Sequence, residues 1–218
     1  MSFVEADFWP ILWLSVRVSG TAVLISSLIG IPGGVWLGLA QPHVNRRLLS
    51  AVIHTGMALP SVVVGLMLYI VLSRSGPMAF LGWLFTPEAM IAAQTILALP
   101  FVIGITLSSV AAVPSQLAAQ VRTLGASDWQ CRWTILREAR HGVALAVAAA
   151  FGRSVSEVGA VLIVGGNIQG HTRVLTTAIV LETGKGNFGF ALALGGALLL
   201  LALLVNLLIG RLQGGRLP

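Results

Sequence analysis

The sequence is short of charge. Of its 218 residues, 13 are Lys or Arg and 7 are Asp or Glu, a charged share of 9% beside 56% apolar side chains; ordinary soluble domains carry about 25% charged residues. Four stretches hold no Asp, Glu, Lys or Arg at all: Val18 to Asn45, Leu48 to Ser73, Ala89 to Val121 and Gly186 to Gly210. Each exceeds the roughly 20 residues a helix needs to cross the hydrocarbon of a bilayer. The composition excludes an ordinary soluble fold. An all-α polytopic membrane protein is predicted, because a helix satisfies its own backbone hydrogen bonds where no water can.

Other absences narrow the chemistry. Cys131 is the single cysteine, so no internal disulfide can form, and it reads as an ordinary small side chain. His43, His54, His141 and His171 are scattered, with no two at ligand spacing, so no metal site is expected. No Walker motif occurs, and "GGNIQG" at 165–170 lacks the Gly-Lys-Ser/Thr of a phosphate loop. If the protein moves something uphill, the ATPase is another chain. A membrane enzyme would want several convergent ionisable groups, and the sequence offers too few. An ATPase-independent transporter or channel stays open, although no internal repeat is evident. "MSFVEADFWP" lacks the basic start of a cleaved signal, and Trp9 and Trp13 read as interfacial anchors.

A fifth span is predicted over 143–164 in spite of Arg153 and Glu157. A lone charge at a membrane centre costs about 2.5–3.5 kcal/mol on insertion scales, but these two stand at i,i+4 and can pair on one helix face. The pair is expected either to hold the bundle or a dimer together, or to place Arg153 at a cytoplasmic gate or briefly against a departing anion. With the other spans near 14–39, 48–72, 90–113 and 188–209, the five form a single transmembrane domain over 1–218. Its loops alternate in basic content. Arg46, Arg47, Arg122, Arg132, Arg137, Arg140, Arg211 and Arg216 fall on one side; Arg74, Arg173 and Lys185 fall on the other with the acidic Glu5 and Asp7. The positive-inside rule then puts the N-terminus outside and the C-terminus in the cytoplasm. The net charge of +6 is thereby topological, and no nucleic-acid partner is expected.

The long inner loop, 114–142, reads as two short helices around Gly125. Ser127 followed three residues later by Gln130 resembles a capping box. Trp129, Trp133 and Leu136 recur at i, i+4 and i+7, an apolar face that rests on lipid headgroups or docks on a cytoplasmic partner. Pro32, Pro60 and Pro100 fall inside apolar spans and favour kinks. Gly30, Gly33, Gly34 and Gly38 suit close helix contact. After the fourth span, the polar segment that begins near Asn167 either re-enters the cavity or meets a partner outside, with Thr172 and Arg173 as candidate anion contacts, or is a solvated loop.

The chain resembles the permease subunit of binding-protein-dependent ABC importers. That family's cytoplasmic signature is Glu-Ala-Ala, three residues, Gly, nine residues, then Ile-x-Leu-Pro. Gly125 and Ile135 keep the spacing and "RTLGAS" at 122–127 keeps the wording, whereas Ala119, Gln120 and Val121 replace Glu-Ala-Ala, and Arg137 and Glu138 replace Leu-Pro. "ALPSVVVGLMLYIVLSRSGP" at 58–77 and "FGRSVSEVGAVLIVGGNI" at 151–168 are similar to molybdate- and sulfate-type permeases. "GHTRVLTTAIVLETGKGNF" at 170–188 resembles the tungstate-uptake branch.

The resemblance implies a non-catalytic subunit in a prokaryotic cell membrane, the inner one if Gram-negative. Its implied partners are a second copy of itself, two cytoplasmic subunits that bind ATP and Mg, and an extracytoplasmic oxyanion-binding protein. It further implies ATPase coupling through Arg122, Gly125, Ser127, Trp129, Arg132, Trp133 and Ile135. Pathway or gate residues are expected among Pro60, Ser61, Arg153, Ser156 and Glu157, and outer contacts among Asn167, Thr172 and Arg173. Tungstate is the first expectation for cargo, then molybdate and sulfate.

Overall fold

The computed structural model describes the backbone of residues 2–39 and 44–212, and the side chains of residues 8–39 and 48–211. Arg46, Arg47 and Arg216, with Glu5 and Asp7, enter the predicted charge asymmetry, and their side chains lie outside the described set. Among the described residues every regular element is helical. The order is α1 (Ser2–Leu39), α2 (Val44–Met57), α3 (Ser61–Leu72), α4 (Pro87–Ala111), α5 (Ser115–Thr123), α6 (Asp128–Glu138), α7 (Arg140–Val155), α8 (Gly159–Gly165), α9 (Leu175–Gly184) and α10 (Phe188–Leu212), with a 3-10 turn at Ala79–Leu81.

Among the described residues three helices are long and apolar enough to cross a membrane unbroken: Phe8–Leu39 within α1, Pro87–Ala111, and Phe188–Arg211 within α10. The predicted spans over 48–72 and 143–164 are not continuous helices. The first divides into α2 and α3, bent by 93°, and the second into α7 and α8, bent by 56°. Counting each bent pair as one span gives five.

The core is organised by α4, which packs along α1, α2 and α7. Glycines make the α1 contact possible. A Cβ on Gly30, Gly34 or Gly38 would lie 2.7–2.8 Å from Val102, Thr106 or Val110 respectively, so the helices approach at i, i+4, i+8 on both partners. Gly33, with nothing within 4 Å of such a Cβ, is not part of that seam. Pro32 and Pro100 lie inside continuous helices. Only Pro60 sits at a break.

A second departure concerns 170–188. The solvated-loop reading fails for part of the segment, because Leu175–Gly184 forms α9. Its Leu175 and Ala178 are buried with Ile11 of α1 and Leu194 of α10. The backbone N–H of Leu175 donates to Ser15 Oγ at 2.8 Å, which fastens this helix to α1.

Candidate functional site: two broken helices that meet

The first break follows from proline chemistry. Pro60, with φ −64° and ψ 120°, has no N–H to continue the ladder of α2, and the ring disfavours helical backbone at Leu59. Its carbonyl nevertheless accepts from Val63 and Val64, and so begins α3. Ser61 is the first residue of the new helix.

The second break has no proline. α7 ends at Val155, where the Ser156 hydroxyl turns back to donate to the Gly152 carbonyl at 2.8 Å. Glu157 then satisfies three groups. Its Oε2 accepts from Arg153 Nη1 at 2.5 Å, its Oε1 accepts from the backbone N–H of Ala160 at 3.0 Å, and its carbonyl accepts from Thr176 Oγ1 at 2.8 Å. Glu157 is thus an ion-pair partner, a cap for α8 and an anchor for α9. The i,i+4 pairing holds, but Glu157 lies past the end of α7 rather than on the face of an unbroken helix. Its side chain is 2% exposed and that of Arg153 is 26% exposed, so the carboxylate is enclosed while the guanidinium reaches the surface.

The two breaks are neighbours. A Cβ on Gly159, the first residue of α8, would lie 3.0 Å from Ser61 Oγ and 2.9 Å from a Val62 methyl. One helical turn further along α3, a Cβ on Gly65 would come within 2.7 Å of the Ala160 Cα. Two interrupted helices therefore touch, backbone to backbone, at their first turns. Pro60, Ser61, Ser156 and Glu157, named from the sequence, come together here with Arg153. Gly65, Gly159 and Thr176 were missed. "SEVGA" at 156–160 held a signal, a carboxylate three residues before an amide that it could cap.

Asn167, Thr172 and Arg173, between α8 and α9, have different roles from one another. Thr172 is fully buried, donating to the Gly165 carbonyl at 2.5 Å and accepting from Ile168 N–H at 2.9 Å. It holds the loop's shape. Asn167, at φ +52°, makes the turn after Gly166, and its carbonyl accepts from Arg173 Nη2 at 3.5 Å. Arg173 also lines a cavity of about 480 Å³ together with Trp13, Arg17, Glu88 and His171.

Between α5 and α6 the capping box is present: Ser127 Oγ accepts from Gln130 N–H at 3.4 Å, and Gln130 Oε1 accepts from Ser127 N–H at 2.8 Å. Gly125 has φ +83°, the left-handed backbone that a non-glycine residue resists. Arg122 pairs with Asp128 at 3.3 Å in the open. Ile135 is buried with Cys131 against Val110 and Ala139, so any part it takes in coupling is through packing. Trp129, Arg132 and Trp133 are exposed. Leu124, 87% exposed, stands beside Gly125 at the tip.

The architecture is three long apolar helices, two bent helix pairs and a short helix pair around Gly125. Residues 30–215 fit the binding-protein-dependent transport system inner membrane component, and the chain belongs to that family of transport subunits. It is 46% identical to a probable anion ABC transporter permease protein of Haloferax volcanii, over 92% of this chain and 88% of that one. It is 42% identical to the tungstate uptake system permease protein TupB of Peptoclostridium acidaminophilum, over 96% and 91% respectively. The fold is that of a chain in the inward-facing MetNI methionine ABC transporter, with a TM-score of 0.80 at 20% identity and 95% coverage of each.

Proposed function

We propose that this chain is the membrane-spanning subunit of an ATP-driven oxyanion importer, with tungstate as its cargo. The observation that carries the cargo is the 42% identity, across nearly the whole chain, to a permease named for tungstate uptake. The anion permease of Haloferax volcanii supports the same charge class. The subunit works as one of two copies, receives cargo from an extracytoplasmic binding protein, and is driven by two cytoplasmic subunits that bind ATP and Mg. The N-terminus is outside, and the α5–α6 tip is cytoplasmic.

In this reading the tip carrying Arg122, Leu124, Gly125 and Ser127 meets the ATPase. Motion passes into the bundle through Ile135 and Cys131, packed on α4. The joined breaks at Pro60–Ser61 and Ser156–Gly159 are the gate, because a broken helix can pivot where its hydrogen-bond ladder is already interrupted. Arg153 orders that gate through Glu157, and no tight oxyanion site is placed there, since transport needs sites weak enough to release.

The test is uptake into proteoliposomes holding this chain, its ATPase and its binding protein, with tungstate, molybdate and sulfate in competition. Uptake that needs ATP and all three components and favours tungstate is the expected result. Uptake undiminished without the ATPase overturns the class. A preference for molybdate or sulfate overturns the cargo alone.

A further inference from the structure

The inner end of α1 and the exposed side of α6 enclose an open groove of about 440 Å³. Its α1 wall includes Ile31, Val35 and Trp36, and its α6 wall includes Trp129, Arg132 and Trp133. The function proposed above gives this space no role. Its charge is one-sided: among the described residues Arg132 is the one charged residue in the lining, and no acidic side chain shares it. Among the described residues Arg132 makes no ion pair, while Asp128 is taken by Arg122, and Glu138 faces a separate cavity with Ser109 and Gly142.

The groove also continues a membrane-facing surface. Leu24, Leu28, Ile31 and Val35 fall at i, i+4, i+7 and i+11 on α1, one face of a helix. Leu24 and Leu28 are both at least 60% exposed, so an apolar stripe runs along this spanning helix into the groove. An occupant must therefore be apolar along the stripe and anionic where it reaches Arg132. Tryptophans at that junction match the boundary between hydrocarbon and headgroups, where amphipathic rings concentrate. A cytoplasmic protein could meet the α6 wall, but the α1 stripe lies along a helix that crosses the membrane.

We infer that this groove binds an anionic phospholipid of the cytoplasmic leaflet, its acyl chain along the α1 stripe and its phosphate at Arg132. The inference rests on the membrane orientation given above, not on the cargo. It also assigns Trp129 and Trp133 to lipid, leaving the tip around Gly125 for the ATPase.

The experiment uses the full chain in nanodiscs with traces of brominated phosphatidylglycerol or brominated phosphatidylcholine, reading quenching of tryptophan fluorescence. In a Trp129→Phe/Trp133→Phe background, Trp36 reports from the α1 wall, and the Trp36→Phe triple variant supplies the baseline. Quenching through Trp36 should favour phosphatidylglycerol. Arg132→Gln should reduce that preference roughly fivefold, the factor expected for one basic residue at an anionic surface, and Arg132→Lys should keep it. Arg132 is exposed, so neither change disturbs the fold. Equal quenching by the two lipids, or a preference that survives Arg132→Gln, overturns the inference. So does protection of Trp36 by added ATPase that Arg132→Gln abolishes, since that result gives the groove to the ATPase. Tungstate uptake is read separately, so a wrong cargo leaves the lipid result standing.

Discussion

The two helix breaks reach similar geometry by opposite means. At Pro60 the missing N–H and the ring disfavour a continuous helix, and no charged side chain is needed to hold the turn. At Ser156–Val158 nothing covalent forbids continuation, and the discontinuity is held by Glu157 through Arg153, Ala160 and Thr176. A break favoured by the backbone does not depend on any one side-chain contact. A break held by side chains can be loosened by removing one group, which makes the α7–α8 junction the adjustable half of the proposed gate.

The sharpest way to break this comparison is at Glu157. Glu157→Ala removes the carboxylate from a nearly enclosed site, leaves the Ala160 N–H without its acceptor and leaves Arg153 unpaired. Losing one partner of a buried pair costs about 3–5 kcal/mol, and the partial exposure of Arg153 places the expected loss near the lower end. Assembled protein in the membrane should fall several-fold by quantitative immunoblot. Glu157→Gln keeps a carbonyl oxygen for Ala160, so it should retain more protein than the alanine variant. Equal loss in both would mean that charge, not capping, holds the break.

Next in size is the contact that joins the two breaks. Gly65→Ala would put a methyl 2.7 Å from the Ala160 Cα, against backbone that has no side chain to swing away. Overpacking of this kind costs about 1–3 kcal/mol. The expected outcome is a melting temperature lowered in detergent, with Gly152→Ala, where a Cβ meets nothing within 4 Å, as the unaffected control. An unchanged melting temperature at Gly65 would show that the two broken helices do not depend on close contact.

A smaller effect is expected at Thr176, which ties α9 to the Glu157 carbonyl. Thr176→Val keeps the shape and removes the hydroxyl donor, a loss of about 1 kcal/mol for one buried hydrogen bond. Hydrogen exchange should rise locally at Ser156–Ala160 while α2 and α3 keep their protection. Equal loosening of both breaks would argue that they move as one unit.

What could be read from the sequence divides along the same line between local and distant causes. The capping box of α6, the turn at Gly125, the i,i+4 pair and the close face of Gly30, Gly34 and Gly38 depend on spacing along the chain, and each is found in the structure. The second break was hidden because Arg153 and Glu157 fit the i,i+4 rule whether or not the helix continues. α9 was hidden because Leu175 and Ala178 are apolar toward α1 and α10, partners far away in sequence. Ile135 keeps the spacing of the family signature, but spacing could not tell that it faces inward while Trp129 and Trp133 face out.

The smallest effect should be at Pro60, although that residue makes the larger bend. Pro60→Ala restores an N–H and permits helix at Leu59, yet α3 still begins against Gly159, and its Gly65 still abuts Ala160. Rejoining α2 to α3 would pull either α2 off α4 or α3 off α8, so packing should keep the 93° bend after its first cause is gone. The remaining cost is the added freedom of the unfolded chain, about 0.4–1 kcal/mol. Spin labels on the outward positions Val52 and Val63 should therefore report an unchanged distance in Pro60→Ala. A lengthening toward the separation of 11 residues in a straight helix, about 16 Å between Cα atoms, would mean that the proline alone maintains this break and that the two junctions are independent.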